Sequence, residues 1–183
     1  MRKRAAISSG IIIALIMAAL IFLPWAREKT RRITCYSCLK SLGLCLVQYA
    51  MDNANEFPDK DGAAGWELLR SNDYCTDYKI YTCPSSATVP EKKGPLYESS
   101  VSYVYFGGFM KGEQSMIPLA FDKPGNHSNY VNVLFVCGKV DGFKGQFRSC
   151  ADIINMLNEK YKYSPEDLKR LKEKAALNNG ETP

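Results

Sequence analysis

The sequence predicts an α+β protein: a long N-terminal helix, membrane-spanning in its first half, packed on an antiparallel β-sheet and followed by C-terminal helices. Three observations carry this. Ala5 to Leu23 holds no charged residue, and nineteen residues at about 1.5 Å rise span roughly 28 Å, near the thickness of a bilayer core. Beyond it, Cys35, Cys38, Leu39, Leu42, Cys45, Leu46 and Tyr49 recur at three- and four-residue steps, which puts them on one helix face. The later β-branched and aromatic runs follow one another without intervening helices, the order of an antiparallel sheet rather than of βαβ units.

Taken in order, the helix starts in the basic stretch Arg2 to Arg4 and crosses the apolar run. It passes Pro24 and Trp25, a pair suited to a membrane interface or a kink, and a second basic flank, Ala26 to Arg32. It should fade at Asn53 to Asn55 and be over by Pro58. Gly62 to Gly65 reads as loop and Trp66 to Arg70 as one or two helical turns. Lys79 to Cys83 reads as a short strand stopped by Pro84, and Ser85 to Pro95 as a polar loop. Three clear strands follow at Val101 to Phe106, Ile117 to Phe121 and Val131 to Val136. Cys137-Gly138 then turns the chain into a hairpin partner between Lys139 and Phe147. Ser149 and Asp152 form a capping-box pattern that opens a helix over Ala151 to Lys160. Ser164-Pro165-Glu166-Asp167 opens another, to about Leu177. The organisation is therefore an anchor and basic flank (1–32), an α+β domain (33–148) and a helical tail (149–183).

Charge limits the partners. Of the net +5, the first 32 residues contribute +6, with seven basic residues against Glu28 alone. The remainder holds 17 basic and 18 acidic residues, a net −1. The basicity belongs to the membrane flanks, so no nucleic-acid partner is expected and a lipid bilayer is. The uninterrupted apolar run, with Pro24-Trp25 in place of a small-residue cleavage site, predicts an uncleaved single-pass anchor. Seven cysteines suit an oxidising, extracytoplasmic compartment.

The segment Leu23-Pro-Trp-Ala-Arg-Glu-Lys-Thr-Arg-Arg-Ile-Thr-Cys-Tyr-Ser-Cys-Leu-Lys-Ser-Leu-Gly-Leu-Cys-Leu-Val-Gln-Tyr-Ala50 resembles the pseudopilins of type II secretion systems. It is most similar to large prepilin-like families with a run of the form A-R-E-K-A-R-R-x-x-C-x-x-N-L-K-Q-x-G-L-A-L. Trp66 to Leu69, Tyr81-Thr-Cys-Pro-Ser85, Ser102 to Tyr105, Pro118 to Asp122, His127 and Asn132 to Phe135 resemble the same family in order, so the likeness runs from about Leu23 to Phe147. It implies a long helix whose second half packs on an antiparallel sheet. It also implies an inner-membrane protein with a cytoplasmic N-terminus and a periplasmic domain, and partners among other pseudopilin-like or secretion-system proteins. The chain departs from the family in three places. No Phe-Thr-Leu-x-Glu follows a leader glycine, Cys38 replaces the Asn of N-L-K, and Cys137-Gly-Lys139 replaces a D-G-H hairpin tip.

The resemblance also implies that Cys35 and Cys83 face one another. A bridge between them would staple helix to sheet, worth about 4 kcal/mol in the loop-entropy description. Cys137 and Cys150 are candidates for a second bridge, to the terminal helix, and the odd count leaves at least one thiol over. Cys35-Tyr-Ser-Cys38 is a C-x-x-C inside a helix, without the strand and helix N-terminus that redox motifs use. The spacing of Cys35, Cys38, Cys75 and Cys83 allows zinc, and Asp122, Asn126 and Asn129 allow calcium oxygens, yet neither forms a recognised ligand motif. His127, the one histidine, reads as a loop residue hydrogen-bonded to Asp122, with no nucleophile motif beside it. No catalytic, cofactor or metal residues are expected. The function these readings favour is a non-catalytic, anchored, pseudopilin-like structural or interaction protein. The alternative is an extracytoplasmic metal- or redox-linked binding or sensor module.

Overall fold

The computed structural model describes the backbone from Arg2 to Asn178, and the side chains of Met17, Leu20 and Phe22 to Asn178. Helix α1 spans Arg2–Asp52 and continues through Pro24. Its stripe is core: Cys35, Leu39, Leu42, Leu46 and Ala50 are fully buried, and Tyr49 is half-buried. It ends where Ala54 and Asn55 adopt positive φ of 52° and 65°, while the Asn53 side chain donates to the Tyr49 carbonyl at 2.8 Å. The expected anchor, Ala5 to Leu23, lies outside the described side chains except for Met17, Leu20, Phe22 and Leu23. Among the described residues no helix is long and apolar enough to cross a membrane.

The sheet is a four-stranded antiparallel meander in chain order: β1 (Tyr103–Tyr105), β2 (Pro118–Asp122), β3 (Tyr130–Phe135) and β4 (Val140–Lys144). Tyr105 pairs with Ala120, and Ala120 with Leu134, so these residues share a face. That face receives α1. A Cβ on Gly43 of α1 would lie 2.8 Å from Leu134 Cδ1, so the missing side chain lets the helix approach β3 closely. Helix α1 lies mainly over β3 and β4, whereas β1 is covered by α2 (Gly62–Ser71). Trp66 of α2 packs on Tyr105 with ring centroids 4.7 Å apart and the planes tilted by 47°, and its indole N–H donates to the Tyr103 carbonyl at 3.0 Å.

The C-terminal helices α3 (Cys150–Tyr161) and α4 (Pro165–Asn178) meet residues of the opposite face. Phe135, next to Leu134 and so turned the other way, meets Tyr161 edge-on at 5.5 Å. Tyr163 donates to the Met116 carbonyl at 2.7 Å, and Ile153, Ile154, Leu157 and Leu171 are fully buried. The expected capping box is formed: the Asp152 N–H donates to Ser149 Oγ at 3.2 Å, and the Ser149 N–H donates to the Asp152 carboxylate at 3.0 Å. Ser164 likewise caps α4, accepting from the Asp167 N–H at 3.1 Å.

Two local expectations are corrected. Lys79 to Cys83 is not a strand. Tyr78–Tyr81 is a 3-10 turn, because the Asp77 side chain accepts from the Lys79 N–H at 3.0 Å and offers the backbone a local partner. Gly62 to Gly65 is not loop but the start of α2. The Glu98 carboxylate takes the Ala63 N–H, and Gly65 lies so close to the Lys60 carbonyl and the Tyr105 ring that a side chain has no room.

Four substitutions test this packing. Leu42→Ala or Leu46→Ala should each cost about 2–5 kcal/mol in urea unfolding. Leu44→Ala, on the exposed face of the same helix, should cost under about 0.5 kcal/mol. Gly65→Ala should cost about 1–3 kcal/mol by overpacking at the α2–β1 contact. Equal costs at Leu42 and Leu44 would contradict the assigned face, and a neutral Gly65→Ala would contradict the close approach.

Candidate functional site

Where α1 crosses the sheet, four elements converge on one buried cluster. Helix α1 brings Cys35, with Glu28 and Arg32 two turns and one turn before it. The segment after the 3-10 turn brings Cys83. Strand β2 ends in Asp122, and the loop between β2 and β3 brings His127. One donor atom from each of Cys35, Cys83, Asp122 and His127 lies within 4.8 Å of the other three, and all four residues are buried.

The Cys35 thiol donates to Cys83 Sγ at 2.8 Å, and both cysteines are free thiols here. Cys83 Sγ is 3.5 Å from His127 Nε2 and accepts the Ser85 N–H at 3.3 Å. His127 is not hydrogen-bonded to Asp122 as expected. Its Nδ1 meets Glu28 Oε1 at 2.8 Å, and Asp122 Oδ2 stands 3.8 Å from Nε2. Glu28 is held in turn by Ser85 Oγ at 2.9 Å and Arg32 Nε at 3.2 Å. Asp122 Oδ2 accepts the backbone N–H of Asn132 at 2.7 Å and its side-chain amide at 2.9 Å; that amide also reaches the Arg32 carbonyl at 3.2 Å. Asp122 Oδ1 is buried without a hydrogen-bond partner among the described residues.

The electrostatics follow from burial and these partners. Burial pushes the Asp122 carboxyl up to about 7, against the pull of His127 and Asn132. Burial alone would lower the His127 pKa, but Cys83, Asp122 and Glu28 outweigh it and raise it to about 9. Burial would raise Glu28; its hydrogen bonds from His127, Ser85 and Arg32 hold it below the usual carboxylate range instead. The two thiols share one proton. The hydrogen bond from Cys35 favours the Cys83 thiolate, down to about 5, and the Cys35 thiol is pushed up accordingly.

Cys83, His127 and Glu28 stand in the order nucleophile, base and orienting carboxylate. However, Cys83 is 2 % exposed and the His127 side chain 0 %, so a substrate has no open route to the sulfur. The ligand sets that spacing allowed are not assembled. Cys75 hydrogen-bonds with Cys45 of α1 rather than joining Cys35, and Cys38 is half-buried toward Tyr103. Asn126 donates to the Ser102 carbonyl at 2.7 Å and Asn129 is exposed at φ 53°, so neither shares a calcium site with Asp122. Cys137 is exposed on the β3–β4 turn, and Cys150 is buried at the first residue of α3.

Sequence reasoning missed Glu28, Ser85 and Asn132 as site residues. Glu28 is the single acid in the basic flanks, and Asn132 is a polar residue between two inward-running valines; both anomalies were visible signals. No family model, no curated protein and no solved structure matches the chain.

Asn132→Ala removes the donor that ties Asp122 to α1 and should cost about 1–3 kcal/mol in urea unfolding. Under reducing conditions an alkylating reagent should label Cys137 first. It should reach Cys35 and Cys83 only on the timescale of unfolding, read by peptide mass spectrometry. Equal labelling of Cys83 and Cys137 in the folded chain would contradict the burial of the cluster.

Proposed function

We propose that the protein is a non-catalytic, single-pass, membrane-anchored pseudopilin-like protein, with a structural or interaction role in a secretion or envelope assembly. In this reading it sits in the inner membrane with its N-terminus in the cytoplasm and its α+β domain in the periplasm. The observation that carries it is the division of α1. From Cys35 to Ala50 one face is core. Toward the N-terminus Met17, Leu20, Phe22, Leu23 and Trp25 expose apolar side chains on the same helix. Apolar side chains exposed together need a cover, and the uncharged sequence around them suits hydrocarbon. The Trp25 ring, with Lys29 Nζ 5.4 Å from its centroid, suits the headgroup layer. The ordered likeness of Leu23 to Phe147 to pseudopilins supplies the assembly role.

The test is fractionation of the full-length chain. It should remain with membranes after an alkaline carbonate wash, and protease added to the periplasmic side should digest the domain while leaving a short membrane-protected N-terminal fragment. Replacing Leu15 and Leu20 with Lys should release it from the membrane. Recovery of the unaltered chain in the soluble fraction would contradict the anchor. A protected C-terminal domain would contradict the orientation.

A further inference from the structure

We propose that Cys35, Cys83, Asp122 and His127 form a structural binding site for a thiophilic divalent metal ion of the zinc class, which clamps α1 to the sheet. The donors come from four separate elements, so their convergence is a product of the tertiary fold rather than of local sequence. Zinc bond lengths of about 2.0–2.3 Å put the donors of a tetrahedral site roughly 3.3–3.8 Å apart. The Cys83–His127 and His127–Asp122 separations, 3.5 and 3.8 Å, already lie there. The two sulfurs, at 2.8 Å, need to part by about 1 Å.

The surroundings are those a metal site needs. Glu28 holds His127 through Nδ1 and so orients the ring with Nε2 toward Cys83 and Asp122. The Ser85 N–H supports the Cys83 sulfur. Asn132 holds Asp122 through Oδ2 and leaves buried Oδ1 without a hydrogen-bond partner among the described residues, a group whose desolvation a cation would compensate. Two sulfurs, one imidazole and one carboxylate select zinc-class ions over calcium or magnesium, which take oxygen donors. Four protein donors in a buried site leave no open position, so the role is structural. Binding displaces to solvent the protons held on the donor atoms, the one shared by Cys35 and Cys83 and that on His127 Nε2, and changes no oxidation state.

This site is independent of the membrane reading. The test uses the full-length chain in detergent, purified under reducing conditions without chelator. Elemental analysis should find one zinc per chain. Cobalt added to the stripped protein should give thiolate-to-cobalt charge-transfer absorption with the intensity of two thiolates, a readout that needs no variant. Glu28→Gln, which removes only the positioning carboxylate, should weaken zinc binding 10–100-fold in chelator competition. Cys83→Ser should abolish the cobalt band, and Cys137→Ser should leave zinc content and cobalt spectrum unchanged. The proposal is overturned if the reduced full-length chain takes up neither zinc nor cobalt. It is equally overturned if folded Cys83→Ser keeps its zinc.

Discussion

Everything else in the molecule depends on one contact: the buried stripe of α1 lying on the face of β3 and β4 that carries Leu134. Cys35, Leu39, Leu42, Leu46 and Ala50 are fully buried, and Leu134 fills the space that Gly43 leaves open. An isolated helix gains little from propensity alone, so tertiary burial of this face must fix its second half. The same contact sets the direction in which the first half leaves the domain.

The polar cluster sits at the end of that contact, where the apolar stripe gives way to Glu28 and Arg32. Burying a carboxylate, an imidazole and two thiols together is costly unless each finds partners. The fold supplies them from four directions, and each is also a tie between elements. Glu28 joins α1 to the β2–β3 loop and to the segment after Cys83. Arg32 reaches the Ser128 carbonyl at 2.6 Å and lies over the Tyr130 ring at 4.8 Å. Asn132 ties β3 to β2 and to α1. A second thiol pair, Cys45 with Cys75, repeats the theme farther along α1, where hydrogen bonding between the sulfurs favours the Cys75 thiolate and raises its partner. Helix α1 is thus tied by sulfur, at two levels, to the segment between α2 and β1, and by leucine to the sheet.

How much of this was legible follows from how local each signal is. The helical stripe, the three β-branched strands, the hairpin after Cys137 and both C-terminal helix starts are written in short-range periodicity and capping residues, and the structure places them within a few residues of expectation. The 3-10 turn at Tyr78–Tyr81 and the glycine-led start of α2 were not, because an Asp77 side-chain bond and packing against Tyr105 decide them. The Cys35–Cys83 approach was implied by resemblance. The full site was not, since Glu28 and His127 lie 99 residues apart and Asp122 and Asn132 meet only through sheet pairing. Spacing arguments grouped the cysteines by sequence; the fold regroups them by face.

The central claim is that the second half of α1 belongs to the same cooperative unit as the sheet. Native-state hydrogen exchange on the full-length chain tests it most directly. The account predicts that amides from Leu39 to Ala50 exchange only through global unfolding, with the same free energy and denaturant dependence as those of β2 and β3. Exchange of those helix amides at a much lower free energy, while the sheet stays protected, would show that α1 is an appendage and would contradict the account.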